Sequence, residues 1–184
     1  MLLNRALCVL ALLGGCIWPG GDDEPADCSL SGGLDAEIVF ADQMGKVAPV
    51  TDQQTVPLIA APQGGHILLL AARVRANVTS CVVDINAALR DPATNRVIGL
   101  EERPIKISSY GGEWAGPPAS AGLSDLANVA VCPSSAVTTS VDAHPYRVEV
   151  RVVAAGVTIG TTTATITPTC NDSYCRNDCA PGGS

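Results

Sequence analysis

Two stretches of this sequence alternate between apolar and polar residues, and that period constrains the fold more than any other feature. In Cys81–Leu89, residues Cys81, Val83, Ile85, Ala87 and Leu89 share one parity, while Asp84 and Asn86 take the other. In Tyr146–Val152, Tyr146, Val148, Val150 and Val152 alternate with Arg147, Glu149 and Arg151. A period of two places the apolar set on one face of a β-strand and the polar set on the other. The plus, minus, plus order of Arg147, Glu149 and Arg151 suits a solvated outer face.

Other segments rich in Val, Ile and Thr read as further strands. They are Glu37–Phe40, Thr55–Ala60, His66–Ala76, Arg96–Leu100, Pro104–Ser108, Ala127–Cys132 and Val157–Thr167. Asp91–Asn95 and Ala154–Gly156 read as hairpin connections. Pro49, Pro57 and Pro62 lack the N–H that a central ladder needs, so the early strands belong at a sheet edge. No stretch after Gly33 sustains a helical period. The expectation is an all-β domain over 34–168, an immunoglobulin-like β-sandwich of seven to nine strands.

The cysteines divide by position. The chain has eight; Cys8 lies in the leading apolar run and Cys16 ends it. The other six are Cys28, Cys81, Cys132, Cys170, Cys175 and Cys179. An even set in an exported chain reads as three disulfides, with 15 connectivities open. The expected pairs are Cys81 with Cys132 inside the domain, Cys28 with Cys170, and Cys175 with Cys179 in a Cys-rich tail over 169–184. A zinc site at Cys170-x4-Cys175-x3-Cys179 lacks a nearby fourth ligand in the sequence, so no metal or other cofactor is expected.

The first 16 residues, MLLNRALCVLALLGGC, set the expected location. Arg5 begins an export signal. The apolar run Ala6–Leu13 is too short to span a bilayer. Leu13, Gly14 and Gly15 before Cys16 have the form of a bacterial lipoprotein signal, with cleavage after residue 15 and lipid on Cys16. Plain secretion is the alternative. Several acyl chains on one residue hold a membrane firmly, whereas one does so only marginally. Ile17, not Asp, follows Cys16, which favours the outer membrane where the aspartate retention rule operates.

Losing residues 1–15 removes Arg5, so the 11 Lys+Arg become 10 against 18 Asp+Glu, and the formal net charge moves from −7 to −8. That balance argues against nucleic acid as a partner. Residues 16–33 are rich in Gly, Pro and acid and read as a disordered N-terminal tether. Asp22, Asp23 and Glu24 lack the spaced ligands of a calcium loop and read as solvated charges.

Pro62-Gln63-Gly64-Gly65-His66 leads into the strand ILLLAARV. Here the chain resembles a group of bacterial, myxobacterial-type lipoproteins with a Pro-Gln-Gly-Gly-His/Trp/Tyr turn before a strand of a single immunoglobulin-like domain. The resemblance covers about residues 55–90; it implies that fold and a lipid anchor, and no activity. The paired glycines also suit a tight turn with positive φ. His66 shares the parity of Leu68 and Leu70 and reads as a hydrogen-bonded structural histidine at the sheet end.

Candidate functional residues are few. His144 sits in a connection. No G-x-S-x-G elbow accompanies the serines and histidines. The segment Tyr110–Asn128 is long for a loop between strands, and it carries Tyr110 and Trp114. Trp114 reads first as cover for one end of the core, and second as an anchor for a protein partner or a sugar ring. The chain is therefore expected to be an envelope lipoprotein acting as a non-enzymatic binding or structural module. The alternative is a hydrolase or other enzyme with a site assembled from scattered residues.

Overall fold

The computed structural model describes residues 28–110, 112–135 and 139–182. The signal segment 1–15, Cys16 and the acids Asp22, Asp23 and Glu24 lie outside the described residues.

The described chain is mostly β. Its strands are β1 (Ala36–Ala41), β2 (Val47–Pro49), β3 (Gln54–Pro57), β4 (Ile59–Ala60), β5 (His66–Arg75), β6 (Cys81–Arg90), β7 (Val97–Ser109), β8 (Trp114–Gly116), β9 (Ala127–Cys132), β10 (Tyr146–Ala154) and β11 (Val157–Thr169). One helix, α1 (Ser173–Asp178), follows. Eleven strands exceed the expected seven to nine, because β2, β3, β4 and β8 have only two to four residues each. Such pieces are too short to show a period in sequence.

The long strands obey their patterns. Cys81, Val83, Ile85, Ala87 and Leu89 of β6 are buried, as are Tyr146, Val148, Val150 and Val152 of β10. On the outer face Glu149 lies 3.3 Å from Arg90 and 2.6 Å from Arg151. Burial raises the Glu149 pKa. The hydrogen bond from Arg151 and the charges of Arg151, Arg90 and Arg147 outweigh it and hold the carboxyl below its usual range. Both expected hairpins are present. Asp91 Oδ1 accepts the N–H groups of Ala93 and Thr94, and Ala155 and Gly156 take the positive φ angles that a two-residue hairpin needs.

The sheet runs β2-β1-β5-β8-β7-β6-β10-β11-β3, with β4 and β9 also pairing with β5. Every pairing is antiparallel except β11 with β3. Pro49 and Pro57 fall on β2 and β3, the two end strands, as their missing N–H groups require. Strand β7 joins two halves: Val97–Ile107 pairs with β6, and Ser108–Ser109 pairs with β8. Arg96–Leu100 and Pro104–Ser108, expected as separate strands, are one. Pro104 is tolerated there because only one side of β7 is paired at that position.

The two halves enclose one buried core that includes Leu68, Leu70, Ile85, Leu89, Val148 and Ile166. They pack closely at two glycines. A Cβ on Gly99 of β7 would lie 2.2 Å from the Ala130 carbonyl oxygen of β9, and one on Gly160 of β11 would lie 3.0 Å from the Ala36 Cβ of β1. Gly64 and Gly65 take the positive φ expected of their turn, and a Cβ on Gly65 would lie 2.4 Å from the Cys132 oxygen.

All six cysteines of this region are paired, but as Cys28–Cys81, Cys132–Cys179 and Cys170–Cys175. None of the three expected pairs forms. Cys132 stands opposite His66 at the start of β5, whereas Cys81 opens β6, six positions after β5 ends. A ten-residue strand is roughly 33 Å long, so the two cysteines belong to opposite ends of the fold. Cys28 reaches Cys81 because its N–H donates to the Val82 carbonyl at 3.1 Å.

The expected boundaries shift accordingly. Residues 28–33, assigned to the tether, are pinned by that disulfide, and Leu34 N–H bonds to the Ile159 carbonyl. The tail is equally integral. Asp172 caps α1 through the Cys175 N–H at 2.8 Å, and Cys175 and Cys179 are buried. A six-residue helix is too short to declare itself by periodicity.

Candidate functional site

The register places the aromatic candidates. Arg75 pairs with Trp114 and Val74 with Ala115. Neighbours directly opposite share a face, so Trp114 joins Arg75 and Arg73, while buried Ala115 joins Val74 on the core side. Glu37 pairs with Arg73 and Val39 with Pro49, which extends the same outer face across β1 and β2. Trp114 is therefore a half-buried residue of the outer face, and it does not close an end of the core. The expected loop over 110–128 also contains β8.

On that face an open cleft of about 460 Å³ is lined by Val39, Pro49, Arg73, Tyr110, Trp114 and Pro117, among others. Tyr110 is 67 % exposed at its rim. Gly116 has no side chain, and a Cβ there would lie 2.9 Å from the Arg73 Cβ. This keeps the floor low. The guanidinium carbons of Arg73 and Arg75 lie 5.0 and 5.1 Å from the Trp114 ring centroid. Contacts of this kind are worth about 0.5–1 kcal/mol at exposed sites. Arg73 is also held by Glu37 at 2.6 Å, and Arg75 by Asp35 and Glu113 at 3.3 and 3.4 Å. The indole is thus set in a fixed orientation by paired charges, with Tyr110 beside it. Such a surface suits a ligand with both an apolar face and polar edges.

A second cluster lies at the other end of β5. His66 is 3 % exposed. Its Nδ1 lies 3.2 Å from Asp178 Oδ2, within ion-pair distance, but no hydrogen bond aligns and Nδ1 has no hydrogen-bond partner. His66 is therefore buried at the sheet end as expected, with Nδ1 lacking a hydrogen bond. The Tyr174 ring stands tilted at 5.8 Å. Ligand atoms of His66, Cys175 and Cys179 all lie within 4.8 Å of one another. The expectation that the tail cysteines have no further ligand nearby holds only along the sequence; the fold brings His66 to them. His144 is separate and surface-placed, its Nδ1 2.9 Å from the Asp142 carbonyl.

Of the sequence candidates, the structure places Tyr110 and Trp114 on one cleft and adds Arg73, which no motif in the sequence marks. No helix of the described residues is long and apolar enough to cross a membrane. No protein-family model matches this chain, and no curated protein sequence matches it significantly.

Proposed function

We propose that this chain is a lipid-anchored protein of the bacterial cell envelope, akin to the myxobacterial-type lipoproteins it resembles. In this reading its domain is an immunoglobulin-like β-sandwich serving as a non-enzymatic binding module. The observation that carries the binding reading is the cleft, where Trp114 is oriented by two arginines beside an exposed Tyr110. The two sheet halves around one core support the sandwich reading. Three disulfides fit an oxidising compartment. Cys16, after an apolar run and two glycines, supports the anchor, and Ile17 supports the outer membrane.

The anchor has a direct test. Cys16→Ser should abolish metabolic labelling with a fatty acid and move the protein from the membrane to the soluble fraction. A mutant that labels and fractionates as wild type does would sink the anchor.

The cleft can be read by fluorescence. The chain has two tryptophans, Trp18 and Trp114, so Trp18→Phe leaves Trp114 as sole reporter. Titration with envelope oligosaccharides should shift Trp114 emission saturably, and Tyr110→Ala should weaken that binding at least about threefold, the effect of losing roughly 0.7 kcal/mol of aromatic contact. An emission spectrum indifferent to every glycan would remove the sugar ligand from the proposal.

A further inference from the structure

We propose that His66, Cys132, Cys175 and Cys179 form a zinc site in the reduced chain, mutually exclusive with two of the disulfides. This site is independent of the cleft.

The donors already converge. His66, Cys175 and Cys179 lie within 4.8 Å of one another, all buried. Cys175 and Cys179 are four residues apart, so they stand on one face over successive turns of α1 and the residue following it. Cys132 is bonded to Cys179 and sits opposite His66 in the register of β5 and β9, which brings its sulfur to the edge of that group. One histidine and three thiolates make a closed tetrahedral set of the kind zinc takes structurally. Zinc–sulfur bonds of about 2.3 Å and zinc–nitrogen bonds of about 2.0 Å bring such donors to roughly 3.5 Å from each other. Contraction from 4.8 Å is within reach of side-chain rotation once the S–S bonds are gone.

The second observation is the orphaned nitrogen. Nδ1 of His66 is buried and lacks a hydrogen-bond partner, although Asp178 stands 3.2 Å away. Buried polar atoms are almost always satisfied, and an exception points to a ligand or ion that completes the site.

The chemistry balances with a dithiol reductant. Two dithiol molecules transfer four electrons and four protons to Cys132–Cys179 and Cys170–Cys175, yielding four thiols and two cyclic disulfides. Zinc then replaces the thiol protons of Cys132, Cys175 and Cys179, which pass to solvent, and binds the neutral imidazole. Cys170 remains a free thiol. Exchange with the two cyclic disulfides reverses the sequence: they take back the four electrons and four protons, three of the protons drawn from solvent as zinc leaves the thiolates, and both protein disulfides re-form.

The test uses the full chain, reduced with a phosphine and titrated with zinc against a chromophoric chelator. One zinc per chain should bind to the reduced protein and none to the oxidised protein. Cobalt in place of zinc should show the visible bands of a tetrahedral thiolate site. His66→Ala should weaken zinc binding by more than about a hundredfold, beyond the 10–100-fold cost of losing an outer partner. His66→Cys should restore it, which separates loss of a ligand from loss of the fold. Cys170→Ser should bind as wild type does. Zinc bound equally well by His66→Ala, or no zinc bound by the reduced wild type, would overturn the assignment.

Discussion

Replacing Cys132 and Cys179 together by alanine should lower the unfolding free energy by about 4 kcal/mol, as should replacing Cys28 and Cys81. Those bridges span 47 and 53 residues, whereas Cys170–Cys175 spans five, so removing the last should cost only about 2 kcal/mol on the same chain-entropy model. Alanine is the suitable replacement because Cys132 and Cys179 are 4 % and 2 % exposed, and a serine hydroxyl there would be buried. Urea unfolding monitored by circular dichroism measures all three double variants. The same proteins test connectivity. In the Cys132→Ala/Cys179→Ala variant, alkylation and peptide mass mapping should find Cys28, Cys81, Cys170 and Cys175 all unlabelled. Labelled Cys81 and Cys175 would instead support pairing of Cys81 with Cys132 and of Cys175 with Cys179.

Gly99→Val should destabilise the fold by about 3 kcal/mol, the upper end of the usual cost of overpacking. Even a single Cβ at residue 99 would stand 2.2 Å from the Ala130 oxygen and 2.9 Å from Val129 Cγ1. Neither can yield cheaply. The oxygen is backbone, and Val129 is fully buried in the core. β9 would have to move away from β7, opening the seam between the sheet halves. Gly112→Val is the matched control, since nothing lies within 4 Å of a Cβ there. The expected result is a large loss in thermal unfolding for residue 99 and little change for residue 112. Equal melting of the two variants would mean that the halves do not meet at this seam.

Much of the β-structure was legible because alternation is a local property. The parity of Cys81–Leu89 and Tyr146–Val152 predicts the buried face of β6 and β10 residue by residue, and Pro49 and Pro57 mark the end strands. The short strands escaped because two to four residues carry no period. β8 was hidden in a segment whose Gly and Pro content reads as loop. The candidate site was half legible. Tyr110 and Trp114 stood out as rare aromatics, yet the face Trp114 occupies depends on its register with Arg75, which only strand pairing sets.

The cysteines show the same division. Their even number and export context imply three disulfides, but pairing follows distance in space. Cys81 and Cys132 both read as buried strand residues, and the crossing from β5 to β6 still sends them to opposite ends of the molecule. His66 and Asp178 are 112 positions apart in sequence, and no local pattern links them. The sequence by itself determined what each residue's neighbours along the chain dictate: strand period, turn chemistry, and an apolar leader ending at Cys16. Only the tertiary structure decided which strands adjoin, which sulfurs meet and which face carries Trp114, because those depend on contacts between residues that nothing in the chain's local order brings together.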